Sequence, residues 1–84
     1  MEKERNLIDE VKIKIITKLY NSEDHKASSA ANNSKLFKLD LLENDYLNAA
    51  LEEAQQEGLV SLSKTQFSLT REGVMKFKEF YSEI

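Results

Sequence analysis

The hydrophobic pattern of this sequence changes period at Gly58. Before the glycine, Ala50 and Ala54 continue a spacing of four residues that is typical of one face of an amphipathic helix. After it, Val60 and Leu62 alternate with serines, which is the pattern of a strand with one buried face. Because glycine readily adopts the left-handed conformation that closes a helix, the sequence predicts a helix that ends at Gly58 and leads directly into a strand.

The helix before the glycine is predicted over residues 45–57. Asn44 or Asp45 is expected to be its N-cap, because both side chains can accept a hydrogen bond from the first helical turn. A continuous helix from Leu41 to Glu57 is the alternative, and it would leave no helix-turn-helix in this part of the chain.

The region after the glycine is predicted to form a hairpin and a closing helix. A second alternation, at Phe67 and Leu69, completes a β-hairpin over residues 59–69. Thr70 is a typical N-cap residue, and the apolar spacing that follows it predicts a last helix over residues 71–83.

The first half of the chain contains one clear helix, over residues 4–20. Its main apolar positions recur every fourth residue, at Leu7, Val11, Ile15 and Leu19. A second apolar ridge lies on a different side of the same helix and consists of Ile13, Ile16 and Tyr20. This helix is therefore expected to contact two neighbouring surfaces.

The segment between the two clear helices is harder to assign. Residues 21–35 contain no large apolar side chain, which predicts a polar loop or a weak helix. Residues 35–42 are rich in leucine and are predicted as a short helix, although their periodicity leaves helix and strand open. Asp40 and Glu43 have the spacing of a helix-capping box.

Length and composition limit the protein to one small domain, residues 1–84. The chain has no cysteine, which excludes a disulfide framework, a thiolate metal site and a thiol nucleophile. No apolar run approaches the roughly 18 residues of a membrane span, and the charged start does not have the pattern of a signal peptide. We therefore expect a cytoplasmic protein that does not contact a membrane.

Catalytic and metal-binding signatures are lacking in the sequence. His25 is the only histidine and lies in a polar stretch, where it is expected to be a solvated loop residue. One histidine and two isolated glycines cannot supply a nucleophile with its base, a metal-ligand set or a phosphate-binding loop. The sequence thus predicts no enzyme, no metal and no cofactor.

The order of the predicted elements carries a family resemblance. Residues 44–60 (NDYLNAALEEAQQEGLV) are similar to a recognition helix and its exit into a hairpin, and residues 69–74 (LTREGV) to the junction with the last helix. In this order they resemble the winged-helix superfamily of small bacterial, archaeal and phage transcription regulators. The resemblance implies a mainly α fold with a small β-hairpin (α+β): a three-helix core, a hairpin wing and a C-terminal helix.

The resemblance also implies a function and a set of contact residues. It implies a regulator that binds double-stranded DNA through the exposed side of the helix, the wing and nearby cations. The residues in these positions are Lys35, Lys38, Asn44, Asn48, Lys64 and Arg71. By the same resemblance, a homodimer would match a palindromic DNA site.

The charge of the predicted recognition helix departs from the family pattern. It has no lysine or arginine and carries four carboxylates, Asp45, Glu52, Glu53 and Glu57, in a chain with a net charge of −3. Carboxylates on this surface would oppose contact with phosphates. The alternative function is therefore a protein-interaction module whose acidic helix docks on a basic protein partner.

The last helix carries an aromatic stripe that needs a covering surface. One interpretation packs it against the first helix, and the other places it in a homodimer interface together with the second ridge of that helix. The predicted interface residues are Ile13, Ile16, Tyr20, Phe77, Phe80, Tyr81 and Ile84.

Overall fold

The computed structural model describes residues 2–28, 33–63 and 66–82, with side chains over 5–28, 35–63 and 66–79. Helices predominate around a small antiparallel sheet, which confirms the predicted mainly α fold with a β-hairpin. The elements are α1 (Glu2–Tyr20), a 3-10 turn (Glu23–His25), β1 (Lys26–Ser28), α2 (Asn33–Leu36), α3 (Leu41–Asp45), α4 (Leu47–Gln56), β2 (Val60–Leu62), β3 (Gln66–Leu69) and α5 (Arg71–Ser82). Within these ranges, none of the helices has the length and apolar content needed to cross a membrane.

The core forms where α1 packs against α4. The predicted stripe of α1 is confirmed, because Val11, Ile15 and Leu19 are fully buried. Ala50 and Ala54 of α4 are also fully buried, and their small side chains let the two helices lie close together. Further buried side chains come from Leu47, Leu51, Phe37, Leu59, Val60, Phe67 and Leu69.

The predicted hairpin is confirmed, with β2 and β3 antiparallel and Val60 opposite Leu69. The sheet has a third strand, because β1 pairs with the other edge of β3 and places Ala27 opposite Phe67. The interpretation of residues 21–35 as a polar loop or weak helix was therefore wrong for β1. The strand is held by backbone hydrogen bonds and turns only one half-buried alanine inward, so it leaves no hydrophobic alternation in the sequence.

The predicted short helix over residues 35–42 was also wrong, because α2 ends at Leu36. Phe37 turns into the core and packs on Phe67, with 5.8 Å between the ring centroids. Lys38 follows with a left-handed backbone, at a φ of 56°. This conformation does not continue a helix, and the chain reverses into Asp40, the N-cap of the next one.

The helix predicted over residues 45–57 begins four residues earlier, at Leu41. Asn44 and Asp45 lie inside α3 and do not cap it. The helix is interrupted once, at Tyr46, whose φ of −102° and ψ of 4° separate α3 from α4. The alternative of one unbroken helix is therefore wrong, and the reversal between successive helices lies at residues 37–40.

The end of α4 has the predicted left-handed glycine. Gly58 has a φ of 75°. Its N–H donates to the carbonyl of Gln55 at 3.0 Å, and the N–H of Leu59 donates to the carbonyl of Ala54 at 2.9 Å. These two bonds form a Schellman motif, which turns the chain from α4 into β2 without leaving helix carbonyls unpaired.

Tyr20 lies between two other rings. Its centroid is 4.0 Å from that of Phe77 and 5.2 Å from that of His25, and both pairs are stacked. His25 is half-buried, and its Nδ1 lies 3.0 Å from the carbonyl oxygen of Tyr20, so it is not the solvated loop histidine that was expected. The contact between Tyr20 and Phe77 confirms for Phe77 that the stripe of α5 packs on α1.

This stack changes the interpretation of the proposed dimer interface. Tyr20 and Phe77 contact each other within one chain and are half-buried. Ile16 is buried in the core, so it does not belong to an exposed ridge. Ile13 is half-buried on α1. Phe80, Tyr81 and Ile84 lie outside the described side chains, and a homodimer stays a prediction.

The junction between the hairpin and α5 depends on Thr70 and Gly73. The Thr70 Oγ1 accepts the N–H of Gly73 at 3.0 Å, which confirms the predicted N-cap. The same hydroxyl lies 2.5 Å from the carbonyl oxygen of Gly58 and 3.0 Å from that of Leu59, so its one proton is donated to either carbonyl. A Cβ at Gly73 would overlap the Leu59 oxygen and lie 2.5 Å from the Leu69 Cδ1.

We expect Gly73→Ala to lower the free energy of unfolding by about 1–3 kcal/mol, because α5 would have to move away from Leu59. Helix propensity alone predicts the opposite sign, a gain of about 1 kcal/mol. Urea unfolding followed by circular dichroism measures the difference, with the exposed neighbour Glu72→Ala as the matched control. A Gly73→Ala variant as stable as the original chain would contradict the close contact.

Candidate nucleic-acid interface

The segment that would enter a DNA groove begins with a capping box. The Asp40 carboxylate accepts the N–H of Glu43 at 2.7 Å, and the Glu43 Oε1 accepts the N–H of Asp40 at 3.1 Å, as the spacing in the sequence predicts. Glu43 is only 7% exposed, and its Oε2 accepts from the Nζ of Lys14 at 2.6 Å. The first turn of α3 is thus fixed both to itself and to α1.

The inner side of α4 is apolar, and the opposite side is open to solvent. Leu47, Ala50, Leu51 and Ala54 are buried. The exposed polar and small side chains of the two helices form what we call the outer surface: Asn44, Asp45, Asn48, Ala49, Glu52, Gln55 and Gln56. Leu41 and Leu42 at the start of α3 are exposed as well. Small and amide side chains predominate on the outer surface, and amide groups can hydrogen-bond to base edges.

Two of the four carboxylates counted on this helix form ion pairs with α1. Lys12 Nζ lies 2.9 Å from Glu53 Oε1 and 2.6 Å from Glu57 Oε1. Arg5 also pairs with Glu53, and with Asp9 at 3.1 Å. The expectation that four carboxylates oppose a partner was therefore wrong for Glu53 and Glu57, which leaves Asp45 and Glu52 on the outer surface.

The ion pairs shift the proton affinities of their members. Hydrogen bonds from Lys12 and then from Arg5 lower the pKa of Glu53. Burial lowers the pKa of Lys12, but its hydrogen bonds to Glu57 and Glu53 outweigh this effect, and the pKa is raised overall. The hydrogen bond to Glu53 is the main cause that raises the pKa of Arg5. All three groups stay charged over the neutral range.

The predicted cations differ in their distance along the chain from α3 and α4. Lys35 lies in the last turn of α2, and Lys38 lies in the reversal that leads to α3; both are exposed. Arg71 is the exposed first residue of α5, on the far side of the hairpin in sequence. Lys64 lies outside the described residues.

Sequence reasoning missed a groove between α1 and the α2–α3 reversal. The groove has a volume of about 480 Å³ and includes Lys14 and Lys18 of α1. Lys38 reaches the same groove from the opposite side. Residues 20 positions apart come together only through the tertiary fold, so no local pattern indicates the site.

Comparisons with protein-family models, with curated proteins and with solved structures find no match to this chain. The arrangement of its own elements is that of a small winged-helix-like topology, with strand order β1-β3-β2 and α4 leading into β2. A likeness of fold does not by itself establish an activity.

We expect Glu53→Gln to lower the free energy of unfolding at neutral pH by about 1 kcal/mol or less, the range of partly exposed ion pairs. The folded pKa of Glu53 lies below its ordinary value of 4.5, so the unfolded chain binds more protons between the two values. The stabilisation is complete above pH 4.5 and is lost as the pH falls through the folded pKa.

Urea unfolding between about pH 3 and pH 7 tests this sign, because Glu53→Gln should flatten the loss of stability in acid. The control is Glu52→Gln, whose side chain has no cation within 4.0 Å in the described part of the chain and accepts only from Gln56. Equal acid dependence in the two variants would show that the pairs with α1 contribute nothing.

Proposed function

We propose that this protein is a small winged-helix DNA-binding protein of the cytoplasm that regulates transcription. The observation that carries the proposal is the outer surface of α3 and α4: an exposed helix side with amide side chains, backed by ion pairs that draw Glu53 and Glu57 toward α1. A helix presented in this way, followed by a hairpin, is the geometry that major-groove readers use.

The outer surface has the chemistry for reading bases. Asn48 is exposed near the start of α4, and an asparagine amide can bond to the N6 and N7 atoms of adenine together. Ala49 beside it is small enough to contact the methyl group of thymine. Asn44 lies four residues earlier, in α3, and supplies a second amide.

Cations near this surface would supply the affinity. Lys35 and Lys38 precede α3, Lys64 belongs to the hairpin sequence, and Arg71 begins α5. Contacts between such side chains and phosphates provide most of the binding energy in protein–DNA complexes and make it depend on salt. Asp45 and Glu52 remain as repulsive charges, so we expect weak binding outside a preferred sequence.

Fluorescence anisotropy with random and selected duplexes at low salt tests the proposal. We expect binding that weakens steeply between about 50 and 200 mM salt. Arg71→Glu combined with Lys38→Glu should weaken binding to every duplex, whereas Asn48→Ala should cost about 1–3 kcal/mol on the preferred sequence only. Lys76→Glu combined with Lys78→Glu reverses two exposed lysines farther along α5 and is the control matched in charge.

Binding that is absent at low salt, or that does not change with salt, would overturn the proposal. So would equal loss of binding in the Lys76→Glu, Lys78→Glu control and in the Arg71→Glu, Lys38→Glu variant, because the effect would then reflect net charge alone. Circular dichroism of each variant shows that the fold is retained.

A second function, a protein-interaction module that docks on a basic partner, is favoured by a different observation. Leu41 is 89% exposed and Leu42 is 55% exposed at the start of α3, close in sequence to the free carboxylate of Asp45. Exposed apolar side chains beside a charge are typical of protein contacts. A stoichiometric protein partner that is retained after nuclease treatment, and lost in Leu41→Ser, would favour this function over DNA binding.

A further inference from the structure

We infer that the groove between α1 and the α2–α3 reversal binds a small organic carboxylate that carries an apolar tail. This inference goes beyond DNA binding and does not depend on it. It rests on the shape of the groove, on the apolar side chains along it, on the cations at its edges, and on the backbone conformation of one of those cations.

The groove has an apolar side and a cationic edge. Its lining includes the apolar residues Ile13, Leu36 and Phe37 and the cationic residues Lys14, Lys18 and Lys38. Its volume of about 480 Å³ lies within the usual range of small-molecule sites. A ligand that fits both parts must combine a negative group with a hydrocarbon portion.

Two of the three lysines have no carboxylate partner. Lys14 donates to the buried Glu43 at 2.6 Å, so most of its charge is already balanced. In the part of the chain that the structure describes, no carboxylate oxygen lies within 4.0 Å of the Nζ of Lys18 or of Lys38. The groove therefore has an unbalanced positive charge in a chain whose net charge is −3.

The backbone at Lys38 gives an independent indication. Its φ of 56° lies in the left-handed region, where glycine or asparagine is favoured and a lysine is strained. Asp24 and His25 have the same φ and do not line the groove, so the conformation alone assigns no role to a side chain. Lys38 has both the strained backbone and a place in the groove lining, and together these favour a role for its side chain.

The apolar side of the groove decides between a carboxylate with a tail and a phosphate of nucleic acid. A phosphate backbone would gain from the lysines but would leave Ile13 and Leu36 uncovered. A hydrocarbon tail covers these side chains, and its carboxylate is then held between Lys18 and Lys38 by charge-assisted hydrogen bonds. No covalent change in the ligand is involved.

Isothermal titration calorimetry and amide NMR shifts with octanoate test the inference on the full chain, without DNA. We expect saturable binding with a dissociation constant of about 1 mM or tighter. The shifted amides should belong to α1 and to residues 35–40. Acetate, which has the charge without the tail, and 1-octanol, which has the tail without the charge, should each bind about tenfold more weakly or not at all.

Variants separate a binding role from a structural one. Lys18→Ala combined with Lys38→Gly should weaken octanoate binding by about tenfold or more. Because glycine suits the left-handed position, Lys38→Gly should keep or raise the thermal midpoint, so lost binding cannot be ascribed to unfolding. Lys76→Ala removes an exposed lysine outside the groove and should bind octanoate as the original chain does.

The inference would be overturned by no saturable binding of octanoate, by equal binding of 1-octanol, or by unchanged affinity in the Lys18→Ala, Lys38→Gly variant. Amide shifts that map to the outer surface would also overturn it, as would inorganic phosphate that binds as tightly as octanoate. These outcomes are measured without DNA, so a failure of octanoate binding would not contradict the DNA-binding proposal. A failure of DNA binding would likewise not contradict the groove inference.

Discussion

The fold depends on the close contact between α1 and α4. Ala50 and Ala54 have small side chains, so the backbones of α1 and α4 lie close together. The larger side chains of α1 fill the space around the two alanines. The same approach brings Lys12 within hydrogen-bond distance of Glu53. An apolar seam and the ion pairs along its edge are thus two results of one packing geometry, and together they fix which side of α4 faces outward.

Because of this geometry, the net charge of the protein is a poor guide to how strongly the outer surface repels a polyanion. The net charge of −3 counts every carboxylate equally, although Glu43, Glu53 and Glu57 are all paired with cations of α1. Electrostatic repulsion between a surface and a polyanion depends on the charges that face it, because screening limits their range to about 10 Å. A negative chain can therefore present a helix surface with only two carboxylates, Asp45 and Glu52.

The sequence predicted those parts of the fold that depend on local signals. The stripe of α1, the left-handed Gly58 and the cap at Thr70 follow from spacing and residue type within a few positions. It failed where a distant partner decides the conformation: Ala27 is in a strand only because Phe67 lies opposite it. The candidate sites also depend on contacts between residues that are distant in the sequence. The sequence therefore predicted some of their residues but not how these residues are arranged.

Glu43 belongs to the capping box of α3 and pairs with Lys14, which lines the groove. The burial of Glu43 therefore affects whether Lys14 can bind a ligand in the groove. Lys14 lines the groove and pairs with Glu43, so a carboxylate in the groove could in principle compete for it. Taking Lys14 away would leave a nearly buried carboxylate without its cation. A ligand in the groove has Lys18 and Lys38 to meet instead, and neither has a carboxylate within 4.0 Å in the described part of the chain. Lys14 therefore stays on Glu43, the capping box stays closed, and Lys18 and Lys38 are left as the groups that meet an anion.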